Sequence, residues 1–340
     1  MADSYLDKPI SPDTDYLPSE EEQKIIREIE SKYTQWREER LTHEAQWFIN
    51  AAFYRGQQYV SWSHIDRKLQ SSPEPPHRQR RTINRVFPKM RARRAKFLKN
   101  RPIWVVIAAT SELEDKLDAR ATGKVLDYLW RKLRLELKYR DALQWAEMCG
   151  RGYWWFYWDK DVIGRVQDIN EFGQKVIQEA LLGDVGIEVG SPFEVLVGDP
   201  SLPNIGDQPE IMRVMMRTLE EVQSRYGDQQ DETGKTIPGK GKFVKAESMG
   251  GDQTFRYEQQ ISAISTTGIG SGGRTEGRGT SEDGQPTHVV VKEYFKRPTP
   301  SSPKGKYCVV ANGVLLKEQK ELPHGFYDMA TPFPVVEFID

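Results

Sequence analysis

Six aromatic residues stand in succession from Tyr153 to Trp158, and they constrain the fold more than any other stretch of the chain. Gly150-Arg151-Gly152 leads into them and Asp159 follows, flanks and a length that predict a β-strand. Successive strand side chains point to opposite faces, so a large ring at every position asks for cover on both sides of the sheet. Core packing is therefore the expected role of Trp154, Trp155, Phe156, Tyr157 and Trp158. The same rings could also form a stacking platform for single-stranded nucleic acid, a weaker reading.

Helical periodicity precedes this strand. Residues 1–18, with Pro9, Pro12 and Pro18, form an extended arm. Ser19 and Glu22 make a capping box, and Ile25, Ile29, Tyr33, Trp36, Trp47, Phe48, Ala51 and Ala52 continue a helical pattern over 19–60. A bend or break is expected near Leu41-Thr42, and a stop before Gly56. A linker over 61–82 contains the run SSPEPP. A second helix should cover about 84–100, with Pro88 near its start and Pro102 just beyond its end. Ile103 to Ile107 predicts a buried strand. Ser111 and Glu114 make another capping box, opening a long helix whose apolar stripe is Leu113, Leu117, Ala121, Val125, Tyr128 and Leu129. Ala142, Trp145, Ala146 and Cys149 extend that pattern to Gly150, with room for a break between Leu135 and Lys138.

Beyond the aromatic strand, residues 161–190 predict short strands and turns, and Pro192 to Val197 a further strand. Thr218 with Glu221 caps a short helix ending near Tyr226. From Gly227 to Pro286 the composition shifts to Gly, Ser, Thr, Gln and Lys. Such a segment buries too little apolar area to offset its ordering entropy, and 228–286 is expected to be a mobile insertion. Order should resume at His288–Phe295, followed by a hairpin around Asn312-Gly313. The predicted fold class is α+β: long helices around a small, mostly antiparallel sheet over 83–227, the glycine-rich insertion, and a distal β region over 287–340.

Composition narrows the function. Charged residues make up 29% of the chain and the mean hydropathy is −0.68, the profile of a soluble, polar protein. Its longest apolar run, Ile103 to Ala109, is far short of the roughly 20 residues that span a bilayer. No membrane partner and no signal peptide are expected. Cys149 and Cys308 lack metal or redox spacing and are expected to be inert in a reducing cytoplasm. The five histidines (His43, His64, His77, His288, His324) show no metal-ligand pattern. Gly234-Lys235-Thr236 and Gly268 to Gly273 mimic phosphate- and dinucleotide-binding loops without the strand that must precede them. No catalytic residue, metal or cofactor is expected.

The net charge of −1 conceals a strong pattern: between Arg78 and Arg101 there are eleven basic residues and no acid. Arg85, Lys89, Arg91, Arg93, Arg94, Lys96, Lys99 and Arg101 are the candidate contact residues. They could neutralise DNA phosphates, giving sequence-independent, salt-sensitive binding. They could equally be solvated or meet acids on a neighbouring subunit, the reading favoured here.

Several stretches occur in an order shared with a known family. They are Trp47 to Tyr59, with an aromatic-Arg-Gly-Gln-Gln turn, and Ile83-Asn84-Arg85, opening a helix that runs to Asn100-Arg101-Pro102. The long helix from Ser111 follows, then Gly150-Arg151-Gly152-Tyr153, and Ser191-Pro192-Phe193-Glu194-Val195 running to Asp199-Pro200. Arg217 to Val222 and Pro332-Phe333-Pro334-Val335-Val336 complete the order. Over 47–226 and 288–340 the chain resembles the portal proteins of tailed bacteriophages, of the podophage type. The resemblance implies a homo-oligomeric ring, a dodecamer, at one vertex of the virion capsid, assembled in the host cytoplasm. Double-stranded DNA would pass through its channel. Its implied partners are the terminase large subunit, scaffold and major capsid proteins, and head–tail adaptor and tail proteins. Family chains continue past the Pro-Phe-Pro-Val-Val stretch into further helices, so the resemblance also implies that this chain, ending at Asp340, lacks the C-terminal part. Two other classes stay open: a DNA-binding module outside any virion that uses the basic helix 78–101, and a nucleic-acid enzyme whose site leaves no trace in sequence.

Overall fold

A computed structural model describes residues 17–65, 68–72, 77, 80–99, 105–108, 110–159, 162–169, 175–181, 183–230, 236–237, 239–247, 287–300, 302–322 and 332–339. The chain is α+β and divides into two units that interleave in sequence. One takes residues 1–53, 57–82 and 193–333, the other 54–56, 83–192 and 334–340.

In the first unit, helix α1 (Glu20–Tyr54) lies on a five-stranded antiparallel sheet. The sheet order is β13-β12-β11-β8-β7, from β7 (Val195–Val197), β8 (Glu210–Thr218), β11 (His288–Lys296), β12 (Lys306–Ala311) and β13 (Val314–Gln319). The predicted capping box forms: the Glu22 amide donates to Ser19 Oγ at 3.3 Å, and the Ser19 amide to Glu22 Oε2 at 3.2 Å. Ile26, Ile29 and Trp36 bury one helix face against Leu196, Met212, Val290, Tyr294 and Cys308. The bend expected at Leu41-Thr42 is absent. Arg40 spans that point, pairing with Glu44 at 2.6 Å and donating to the Phe193 and Val195 carbonyls at 2.9 and 3.0 Å. A buried carboxylate needs such a partner, and this one holds the helix straight. Gly56, at φ +87, lies just past the helix end as predicted. The 61–82 linker is structured in part, because β1 (Val60–Ser63) and β2 (Lys68–Ser71) form an antiparallel hairpin.

Strand β8 was not foreseen, yet it is central, pairing with β11 from Glu210↔Lys296 to Thr218↔His288. The hairpin at Asn312-Gly313 is present, with both residues at positive φ. Short helix α5 (Leu219–Arg225) starts where predicted, its Glu221 amide donating to Thr218 Oγ1 at 3.2 Å. The insertion is corrected in part. Strands β9 (Gln229–Gln230) and β10 (Thr236–Ile237) pair, and residues 239–247 are held in place. There Val244 is buried, the Gly241 amide donates to the Tyr226 carbonyl at 2.8 Å, and the Glu247 amide to the His288 carbonyl at 3.0 Å. A few well-placed backbone bonds anchor what composition alone marks as loose. Residues 248–286 lie outside the described residues.

The α1–sheet contact carries a polar cluster with a definite pH signature. Lys32 Nζ donates to Glu28 Oε1 at 2.9 Å, Glu210 Oε2 at 2.7 Å and Tyr294 Oη at 2.9 Å. The bond from Lys32 lowers the Glu28 pKa below its usual 4.5, against partial burial. Burial pulls the Lys32 pKa down, but its bonds to Glu210, Tyr294 and Glu28 outweigh this and raise it above 10.5. A depressed carboxyl stabilises the fold above its unfolded pKa, and that contribution is lost as pH falls through the folded value. A raised ammonium stabilises below its unfolded pKa and loses its effect at the alkaline end. Urea midpoints of Glu28→Gln should therefore fall less steeply than wild type as pH drops below about 4.5. The difference should be under about 1 kcal/mol, since Glu28 is half exposed.

The second unit holds α2 (Val86–Lys99), α3 (Leu113–Lys132) and α4 (Leu135–Cys149), with a three-stranded antiparallel sheet of order β14-β3-β6. Its strands are β3 (Arg151–Asp159), β6 (Asp184–Gly190) and β14 (Val335–Ile339). Strands β4 (Ile163–Ile169) and β5 (Lys175–Leu181) form a separate hairpin. The predicted break in the long helix falls a little early, at Arg134, whose φ of 50° is left-handed. The expected cap at Ser111 is absent: the helix begins at Leu113, and Thr110 bonds Asp115 instead. Trp130, Leu135, Ala142, Trp154 and Ile187 form the core, and Trp154 meets Phe338 edge-on at 4.9 Å. The buried strand expected at Ile103–Ile107 is not formed where it is described. Residues 105–108 are irregular and Ile107 is 85% exposed, while Ile103 and Trp104 lie outside the described residues. The distal β region expected over 287–340 is divided: β11 to β13 complete the first unit's sheet, and β14 pairs with β3.

Candidate functional site

The second unit carries the candidate contact residues, and Asn84 positions their helix. Asn84 Oδ1 accepts from the Val86 and Phe87 amides at 3.1 and 3.0 Å, and Nδ2 donates to the Tyr54 carbonyl at 2.9 Å. One side chain thus caps α2 and fixes it to the end of α1. Pro88 sits in the first turn, where its missing donor costs least.

The helix sorts its basic residues into two kinds. Arg94 is buried and faces α4. Its Nε and Nη2 donate to Glu147 Oε2 at 3.1 and 2.9 Å, and Nη1 donates to Gln144 Oε1 at 2.9 Å. A guanidinium committed in this way holds two helices together and is not offered to DNA or to another subunit. Arg85, Lys89, Arg91, Arg93, Lys96 and Lys99 are exposed, with Arg93 over the Phe97 ring at 5.6 Å. Arg85, Lys89, Arg91, Lys96 and Lys99 make no ion pair among the described residues. Arg101 lies outside them. Like charges at i,i+3 and i,i+4, as in Arg85/Lys89, Lys89/Arg93 and Lys96/Lys99, destabilise a helix by a few tenths of a kcal/mol each. A helix that accumulates them is one whose charges meet an anionic surface.

Helix α3 adds a second unusual surface. Trp130, Leu126 and Gly123 lie on its packed side. The stripe Leu113, Leu117, Ala121, Val125 and Tyr128 falls on the opposite side at about 100° per residue. Leu113 is 72% exposed, Leu117 52%, Val125 53% and Tyr128 58%. Sequence reasoning found the stripe, but only the structure shows that it faces outward.

The aromatic strand is covered on both faces only over its first half. Tyr153, Trp154 and Trp155 are buried, whereas Tyr157 is 38% and Trp158 57% exposed. Tyr157 lies across Gly186 and Trp158 across Gly183, glycines that leave room for the rings.

Nothing among the described residues gathers catalytic or metal-binding chemistry. No group of three or more His, Cys, Asp or Glu side chains is placed to hold a metal. The hollow between α5 and its sheet, bordered by Arg217, Arg225 and Glu293, is about the size of one water molecule. Burial pushes the Cys149 thiol up to about 12 and the Cys308 thiol up to about 11, consistent with inert side chains. Thr236 stands in β10 while Gly234 and Lys235 lie outside the described residues, as do Gly268 to Gly273 and His324. No described helix is long and apolar enough to cross a membrane. The chain matches no family model and no curated protein sequence.

Proposed function

We propose that this chain is a portal-type ring subunit, a structural protein of a phage capsid vertex through which double-stranded DNA passes, acting without catalysis. The observation that carries the reading is how the stretches behind the resemblance are used. Asn84, of Ile83-Asn84-Arg85, binds the Tyr54 carbonyl beside the Arg-Gly-Gln-Gln turn. Gly152 lies against the Ala142 backbone, and the Phe156 amide donates to the Pro334 carbonyl at 2.9 Å, tying the Pro-Phe-Pro-Val-Val stretch to the aromatic strand. Residues far apart in sequence thus act as junctions of one unit, a stronger coincidence than matching motifs in order. Terminase, scaffold and major capsid proteins, and adaptor or tail proteins are the partners such a subunit would dock.

The exposed basic face of α2 also suits a second reading, a DNA-binding module that works outside a virion. One experiment separates the two. Negative-stain images and light scattering of the full chain should give rings with a central channel, joined head to tail. A strict monomer across a wide concentration range that still binds duplex DNA in a salt-sensitive way would sink the ring reading and favour the second.

A further inference from the structure

We propose that the outward face of α3 is the surface through which one copy of this chain meets the next. The assignment rests on the ring reading above and deepens it by naming the contact. Its first support is the exposed apolar stripe, because a soluble helix normally turns such a stripe inward and α3 already has a packed side.

Its second support names the occupant. The two borders of the stripe carry opposite charge. Lys116, Arg120 and Lys124 run along one border at i,i+4 spacing, and Glu114 and Asp118 along the other. All five are exposed, and none has an ion-pair partner among the described residues. Asp127 is the exception on the basic border, and Lys132 on the acidic border pairs with Asp184. Lys116 and Arg120 stand about 3 Å along the axis from Glu114 and Asp118, since each residue rises 1.5 Å.

Two such helices laid side by side in the same direction place the basic border of one copy against the acidic border of the next. Laid in opposite directions, they would set like charges together. Parallel neighbours leave one acidic and one basic border unused at the ends of any pair, so the contact repeats head to tail, as ring closure requires. An anionic membrane suits the face poorly, because an interfacial helix carries mainly Lys and Arg beside its apolar face.

Charge reversal tests the assignment. R120E/K124E makes both borders acidic and should raise the concentration at which copies assemble by about tenfold or more, an effect that fades at high salt. E114K/D118K makes both borders basic and should do the same. The two variants mixed in equal amounts should assemble together, and the four changes in one chain should restore self-assembly. L117S/V125S, which removes apolar area without touching charge, should also weaken assembly. Circular dichroism should show all of these folded, since every changed side chain is exposed. If wild type forms rings and the reversed variants assemble at the same concentration, the α3 assignment is wrong and the ring reading stands. A wild type that never assembles overturns both. So does wild type that binds phosphatidylglycerol vesicles through this face while the copies stay apart.

Discussion

Arg94→Ala should destabilise the unit that contains α2 and α4 by about 3–5 kcal/mol, the usual cost of stranding one partner of a buried ion pair. Glu147, with which it pairs at 2.9 Å, has a side chain only 4% exposed, and its Oε1 already lacks a partner. Removing the guanidinium leaves a buried carboxylate with no counter-charge. In thermal unfolding the midpoint should drop by about 10 °C. Arg91→Gln, Lys96→Gln and Lys99→Gln together should shift it by no more than a degree or two, because those side chains are exposed. The double change Arg94→Met with Glu147→Met should recover most of the loss, since a well-packed apolar pair often matches a buried ion pair. If Arg94→Ala unfolds at the wild-type temperature, the charge is not buried in solution and Arg94 returns to the set of contact candidates.

Gly152→Val should cost about 3 kcal/mol or more for a different reason. A Cβ at Gly152 would lie 2.3 Å from the Ala142 carbonyl oxygen, so the strand and α4 would have to move apart. Backbone cannot swing aside as a side chain can, and overpacking of this kind commonly costs 1–3 kcal/mol even for smaller intrusions, a range written here as about 1–3. Gly150→Ala is the control. Its φ of +83 strains an alanine by only about 1 kcal/mol, and nothing lies within 4 Å of the added carbon. Urea unfolding should separate the two clearly. Equal effects would mean that the helix and strand are not in close contact at Gly152.

Local signals were legible where the chemistry is local. Ser19 with Glu22, Thr218 with Glu221, Gly56 beyond α1, and Asn312-Gly313 each act within a few residues, and each appears as predicted. Strand β8 was missed because its run from Ile211 to Met216 is short and nearly continuous in apolar residues, a pattern that fits a buried helix segment as well as a strand. The 239–247 stretch was misjudged because composition reports the average of a segment. Val244 and a few backbone bonds decide the fate of those residues.

The candidate site shows the same division. The sequence by itself determined that residues 78–101 concentrate positive charge without acid, that α3 carries an apolar stripe, and that an aromatic strand follows Gly152. Only the tertiary structure decided that Arg94 turns inward to Glu147 while its neighbours stay exposed, and that the α3 stripe faces away from Trp130. The reason is geometric. A helical pattern fixes which residues share a face, but not which face meets the core, because that depends on partners far along the chain. Glu147 is one such partner, and β14, paired with β3 from the opposite end of the sequence, is another.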